Sequence, residues 1–187
     1  MDHLTFERLN ALTEAAANGQ TKDVIPLLEN LSLINGKDEN GCTPLYRACF
    51  NGRNQTAFEL LRRGADANIA CENGTKSSLG AAVTQGHPAI VEMLLLHGAN
   101  ADYLHDELTP LHLAVRQKMF SVMVILMRYG ANPLFTAKFP TYTFSFGESK
   151  VAHEHRTPLV LCKALTWEKG IEVLGAAEDA WSWAGKR

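Results

Sequence analysis

The segment at 108–133, LTPLHLAVRQKMFSVMVILMRYGANP, has counterparts at 42–68, CTPLYRACFNGRNQTAFELLRRGADAN, and at 77–102, SSLGAAVTQGHPAIVEMLLLHGANAD. Marking each unit by the leucine after its first turn gives Leu12, Leu45, Leu79, Leu111 and Leu159. Leu12 to Leu45 is 33 residues, Leu45 to Leu79 is 34, Leu79 to Leu111 is 32, and Leu111 to Leu159 is 48. A period of this size constrains the fold more than anything else in the chain: one unit is too small to bury its own apolar face, so successive units must stack on one another. The long last step predicts an insertion of about fifteen residues beyond the usual period.

The letters of one unit follow from backbone chemistry. A Thr hydroxyl caps a helix, and Pro at the first helical position loses no N–H that the helix needs, so Thr43-Pro44 and Thr109-Pro110 start helices. Leu45, Ala48 and Cys49 give a short helix with a small-residue face, and Asn51-Gly52 turns the chain. A second helix with Ala57, Phe58, Leu60 and Leu61 on its buried stripe is stopped by Gly64 at positive φ. Beyond it comes a finger-like turn. The first unit lacks Thr-Pro and carries Leu31 where later units have Gly. The third has Ser77-Ser78 and Gly80, the fourth puts Lys118 at the helix-turn glycine, and the fifth has Lys163 at a small apolar position.

GCTPLYRACFNG…LLRRGADAN, GHPAIVEMLLLHGANAD and TPLHLAV…LMRYGANP, in that order and phase, resemble the ankyrin-repeat family over roughly residues 9–174. The resemblance implies an all-α solenoid of about five helix-turn-helix units with β-turn fingers. Its expected layout is one domain over 1–187: an N-terminal cap repeat at 1–36, repeats at 37–69, 70–103 and 104–135, an insertion at 136–155, and a C-terminal cap with tail at 156–187. It also implies a binding surface of fingers and inner helices for another protein. The positions that repeat packing does not need are Glu39, Asn40 and Cys42, Glu72, Asn73 and Lys76, and Tyr103, His105, Asp106 and Leu108 in the fingers. In the inner helices they are Arg47, Phe50 and Asn51, Thr84 and Gln85, and Arg116 and Gln117. Phe50, Arg47, Tyr103 and Arg116 are the expected anchors, because aromatic and arginine side chains carry most interface energy.

Within the insertion, KFPTYTFSFGESK alternates Tyr142, Phe144 and Phe146 with Thr141, Thr143 and Ser145, the period of a strand. Gly147 is placed to turn it into a hairpin with SKVAHEH as the return strand. Tyr142 and Phe144 then either join the binding surface or fold over the junction of the last two repeats.

Little in the chain points to chemistry. Phosphate-binding glycine loops, HExxH and Gly-x-Ser-x-Gly are absent from the sequence. Cys42, Cys49, Cys71 and Cys162 form no CxxC pair and are expected as free thiols, with Cys42 and Cys71 accessible in fingers and Cys49 a core filler. His153 and His155 supply two imidazoles at strand spacing, too few for a metal site. Leu60, Asp66, Ala67 and Asn68 resemble the spacing at which asparaginyl hydroxylases modify such repeats, but the stronger reading is that Asn68 is simply a good finger-turn residue. A net charge of −2 without a basic stripe disfavours nucleic acid and membrane surfaces. The expectation is a cytoplasmic, non-enzymatic module without cofactor or metal, monomeric when free, that acts as an inhibitor, an immunity-type protein or an adaptor. The alternatives are a recognition domain of a larger enzyme, and a metal-binding protein using His153 and His155.

Overall fold

A computed structural model describes residues 3–28, 33–71, 74–145, 148–164 and 168–184, with side chains for all of these except 138–145, 148–156, 164 and 179–184. The helices run in chain order: α1 (His3–Asn18), α2 (Thr21–Leu27), α3 (Pro44–Phe50), α4 (Asn54–Arg62), α5 (Ser78–Thr84), α6 (Pro88–Leu96), α7 (Pro110–Arg116) and α8 (Phe120–Arg128). The strands β1 (Ala137–Ser145) and β2 (Glu148–Arg156) follow, then α9 (Pro158–Ala164) and α10 (Glu168–Ala184).

The first helix of each central repeat begins as its sequence requires. Thr43 Oγ1 accepts from the Tyr46 N–H at 3.2 Å, and Thr109 Oγ1 from the His112 N–H at 3.3 Å, each followed by a proline at the first helical position. Ser77 does the same for the Gly80 N–H at 3.0 Å, so the loss of Thr-Pro in the third repeat leaves its cap intact. The second helices end on Gly64, with its counterparts Gly98 and Gly130. Gly64, at φ 92°, donates to the Leu61 carbonyl, and the following Ala65 N–H reaches back to the Leu60 carbonyl at 3.0 Å. This reciprocal closure needs a left-handed residue at its turn.

Packing of α1 on α3, α3 on α5, α5 on α7 and α7 on α9 makes an inner row, and α2 on α4, α4 on α6 and α6 on α8 an outer one. Leu12, Leu45, Leu79 and Leu111 are at most 1% exposed and Leu159 is 8% exposed, so the five marker leucines lie in file along one continuous core. The expected all-α solenoid is what the chain forms. Phe58 does not belong to that core. The buried face of α4 is Thr56, Ala57, Leu60 and Leu61, and Phe58 lies off it with 47% of its surface exposed.

Side chains tie the first four repeats in sequence. Asn35 Oδ1 accepts from the Asp66 N–H, Asn68 Oδ1 from the Asn100 N–H, and Asp102 Oδ1 from the Asn132 N–H, at 2.8–2.9 Å. Asn68 also donates through Nδ2 to the Gly98 carbonyl at 3.0 Å, which commits both ends of its amide to the stack. Burial raises the pKa of Asp102, and the Asn132 N–H opposes that shift.

β1 and β2 pair antiparallel with Ala137 opposite Arg156, Tyr142 opposite Val151 and Ser145 opposite Glu148. The strands therefore occupy the insertion before α9, and β2 touches α9. Phe146 and Gly147 lie outside the described residues.

Candidate functional site

The inner helices end on two adjacent positions per repeat, and of these Thr84 is half-buried with its hydroxyl oxygen enclosed. Phe50, Thr84 and Arg116 close α3, α5 and α7, and Asn51, Gln85 and Gln117 follow them. Phe50 is 43% exposed and stacks on Tyr46, ring centres 6.2 Å apart, so its ring is held in place yet open to one side. Asn51, Gln85 and Arg116 are exposed, and Gln117 is half-buried with its amide donating to the Thr84 carbonyl at 3.2 Å.

In the fingers, Glu39, Asn40 and Asp106 are exposed, and Lys76 and Tyr103 are half-buried. Arg47 is turned inward. Its guanidinium pairs with Asp38 at 2.8–2.9 Å, which makes it a brace of finger two as much as a contact residue. Glu72 and Asn73 lie outside the described residues, as do the side chains of Tyr142, Phe144, His153 and His155.

Three expected finger contacts are not on the surface. Leu108 is 6% exposed because it pairs with His105 across the finger's base and packs into the core. His105 is buried because the third repeat lacks a side chain at Gly80: a Cβ there would overlap the His105 ring, so the finger of the fourth repeat fills the space. The Ser77 N–H donates to His105 Nδ1 at 3.1 Å. Cys42 is 1% exposed and Cys71 fully buried, and the two are joined by a disulfide; neither is the accessible free thiol expected.

Sequence reasoning missed the contribution of α1. Asn10, Thr13, Glu14 and Ala17 join Asp38, Glu39, Asn40 and Arg47 around a hollow of about 320 Å³ between α1 and finger two. The first repeat reads in sequence as an N-terminal cap, so no contact residues are expected on it. Leu104 was also missed. With Gly74, Thr75, Asp106 and Glu107 it lines a hollow of about 490 Å³ at the tips of fingers three and four. An apolar residue one step from a polar fingertip was the available signal.

Among the described residues the two unlinked cysteines and the Thr109–His112 pair are sealed in the core. Burial pushes the Cys49 thiol far above its ordinary range and the Cys162 thiol up to about 11, so neither is a thiolate at neutral pH. Thr109 Oγ1 lies 2.7 Å from His112 Nδ1, a distance suited to a nucleophile and its base, but both residues are fully buried and the hydroxyl also caps α7. Among the described residues no three His, Cys, Asp or Glu side chains stand together as a metal site, and no helix is long and apolar enough to cross a membrane.

A family model described as Ankyrin repeats (3 copies) matches residues 1–71 and 54–137. An ankyrin repeat and KH domain-containing protein of Caenorhabditis briggsae is 37% identical over 87 residues, 46% of this chain and 3% of that protein. A fowlpox virus protein described as an ankyrin repeat protein is 34% identical over 122 residues, 64% of this chain and 28% of its own length. Inversin of the dog, Canis lupus familiaris, is 32% identical over 119 residues, 63% of this chain and 11% of inversin. The chain thus spans less than a third of each of these relatives.

Proposed function

The chain belongs to the ankyrin-repeat family, and on that premise we propose that it binds another protein through its fingers and inner helices and carries out no chemistry of its own. The observation that carries the reading is the pair Phe50 and Arg116: equivalent positions two repeats apart, chemically unlike each other, exposed and outside the core. Repeat packing gives no reason for an open aromatic ring at one and a guanidinium at another, whereas a partner surface does. Glu39, Asn40, Asn51, Gln85, Tyr103, Asp106 and Gln117 frame the pair, and most of them exclude water without carrying much energy.

Within this reading we favour a role as inhibitor or immunity-type protein that seats its fingers in a partner enzyme's cleft, with an adaptor as the other form. The short match to much longer relatives supports a second reading, that such an array serves as the recognition part of a larger polypeptide. A cytoplasmic address and a monomeric free state belong to the same proposal. The test is affinity capture with the wild type, Phe50→Ala and Arg116→Ala. An anchor residue is worth at least about 2 kcal/mol, so each variant should weaken capture of the specific partner by tenfold or more. A captured enzyme whose activity falls on binding identifies the inhibitor, and several captured non-enzymes identify the adaptor. Undiminished capture by both variants removes this face as the binding surface.

A further inference from the structure

Cys42 and Cys71 stand at the bases of two neighbouring fingers. In finger two the Asp38 N–H donates to the Cys42 carbonyl at 2.9 Å and the Cys42 N–H to Asp38 Oδ1 at 2.9 Å. In finger three the Cys71 N–H donates to the Lys76 carbonyl at 2.8 Å, and Lys76 returns a bond to the Cys71 carbonyl at 3.3 Å. The two Cα atoms are 4.4 Å apart, within reach of a disulfide, and the 29-residue separation means that the bond encloses α3 and α4, the whole helical part of one repeat. Around the sulfurs lies a small apolar cluster of Cys42, Tyr46, Cys71 and Ala81, separate from the main core. Cys49 and Cys162 are unlinked and belong to that main core.

The two flanking finger contacts differ in kind. Finger four is held to the third repeat by hydrogen bonds, from the Ser77 N–H to His105 Nδ1 and from the Asp106 N–H to the Thr75 carbonyl at 2.8 Å. Finger three is held to finger two by a covalent bond. Whatever moves Cys42 moves Asp38, and with it the Arg47 brace and the exposed Glu39 and Asn40. Tyr46, which touches the same cluster, carries the Phe50 ring stacked on it.

We propose that Cys42–Cys71 is a redox-controlled staple that, when oxidised, locks fingers two and three and so holds Glu39, Asn40 and the Phe50 ring in place, and that a dithiol reductant opens it. In the opening step the Cys42–Cys71 S–S bond breaks and the dithiol's two sulfurs join in a disulfide. Its two protons pass to Cys42 and Cys71, whose sulfurs are reduced as those of the dithiol are oxidised. A low-molecular-weight disulfide such as oxidised glutathione reverses the exchange. The two states have the same helices and differ in how far the unfolded chain, and the fingers, are free to move.

This proposal deepens the recognition reading, but its test needs no partner. Purified wild-type protein is exposed to oxidised glutathione and divided, and one half is then treated with dithiothreitol. Alkylation under denaturing conditions with peptide mass mapping should show a Cys42–Cys71 linked peptide in the first half and alkylated Cys42 and Cys71 in the second. The reduced half should melt about 5–15 °C lower and exchange amide hydrogens faster at 38–42, 71 and 74–76, with α6 to α8 unchanged. Return to oxidised glutathione should restore the higher melting point. The Cys42→Ser, Cys71→Ser double variant should melt near the reduced wild type and ignore the reductant. Free Cys42 and Cys71 after oxidation, or equal melting points in the two halves, overturns the staple, and a failure of partner capture leaves both measurements standing.

Discussion

Gly80 and His105, 25 positions apart, share one volume. Putting a methyl at Gly80 drives a Cβ into the imidazole and the finger that carries it, so Gly80→Ala should cost about 2 kcal/mol as an overpacking change. Replacing His105 by Ala leaves the buried Ser77 N–H short of its acceptor, for about 1–3 kcal/mol. The pair Gly80→Ala, His105→Ala removes the clash along with the ring, so urea unfolding should place the double variant at least about 1 kcal/mol above the sum of the singles. Strict additivity would mean that the ring does not occupy the glycine's space. A second residue-scale prediction concerns Lys118, at φ 55°, where the equivalent turns have Gly52 at 69° and Gly86 at 75°. A left-handed lysine costs about 1 kcal/mol, part of which glycine loses again through its freer unfolded chain. Lys118→Gly should therefore gain about 0.5 kcal/mol, with Lys118→Ala giving no such gain. The third is electrostatic. Arg62 and Arg63 hydrogen-bond to Glu59 and hold its carboxyl down to about 2. A lowered carboxylate pKa stabilises the fold fully above the ordinary carboxylate range, and the contribution is lost as pH falls through that range toward 2. The melting points of wild type and Glu59→Gln should accordingly differ at pH 7 and converge near pH 2; a gap that persists at pH 2 assigns the effect to something other than ionisation.

Whole elements were more legible in the sequence than the contacts between them. Thr-Pro and the terminal glycines mark α3, α4, α7 and α8, because caps and stops are local chemistry that a few letters specify. The third repeat kept its cap because a serine hydroxyl serves as well as a threonine's. What stayed hidden was long-range. Nothing near Gly80 in sequence announces His105. Cys42 lies one residue before its cap and Cys71 six before its own, so repeat phase does not pair them. Phe58 was misplaced because a two-turn helix offers too few residues to fix the angle of its buried stripe. Of the expected site, Phe50, Asn51, Gln85 and Arg116 are exposed, Thr84 and Gln117 are half-buried, and Cys42, His105 and Leu108 belong to finger bases that pack. The hairpin supplies the element-scale prediction. β1 and β2 pair antiparallel along nine positions, from Ala137–Arg156 to Ser145–Glu148, so the backbone groups that face the partner strand are bonded within the insertion. Replacing residues 139–154 by a two-residue turn should move the melting point by less than about 3 °C, since shortening a surface connection changes closure entropy little. A drop above about 10 °C, read by circular dichroism at 222 nm, would mean that the hairpin covers the junction of the last two repeats and is not a free arm.

At the scale of the whole molecule, the file of leucines makes stability a sum over neighbours. Each inner helix touches the one before and the one after, so a defect acts on two interfaces and leaves distant ones alone. Leu111 is fully buried in α7 between α5 and α9, and Leu111→Ala should cost about 3 kcal/mol by cavity formation. In a closed globule that loss would lower hydrogen-exchange protection everywhere, because every element shares one unfolding step. In this stack it should fall on α7 and α8 and on the neighbouring α5 and α9, while α3 and α4, two interfaces away, keep most of theirs. The denaturant transition should broaden at the same time, its apparent m-value falling as the two ends of the array unfold at different concentrations. Uniform loss of protection with an unchanged slope would show that the repeats melt as one block, and a partner-binding row spread over α3, α5 and α7 would then be rigid as a unit; graded loss means that the fourth repeat can loosen while Phe50 stays in place.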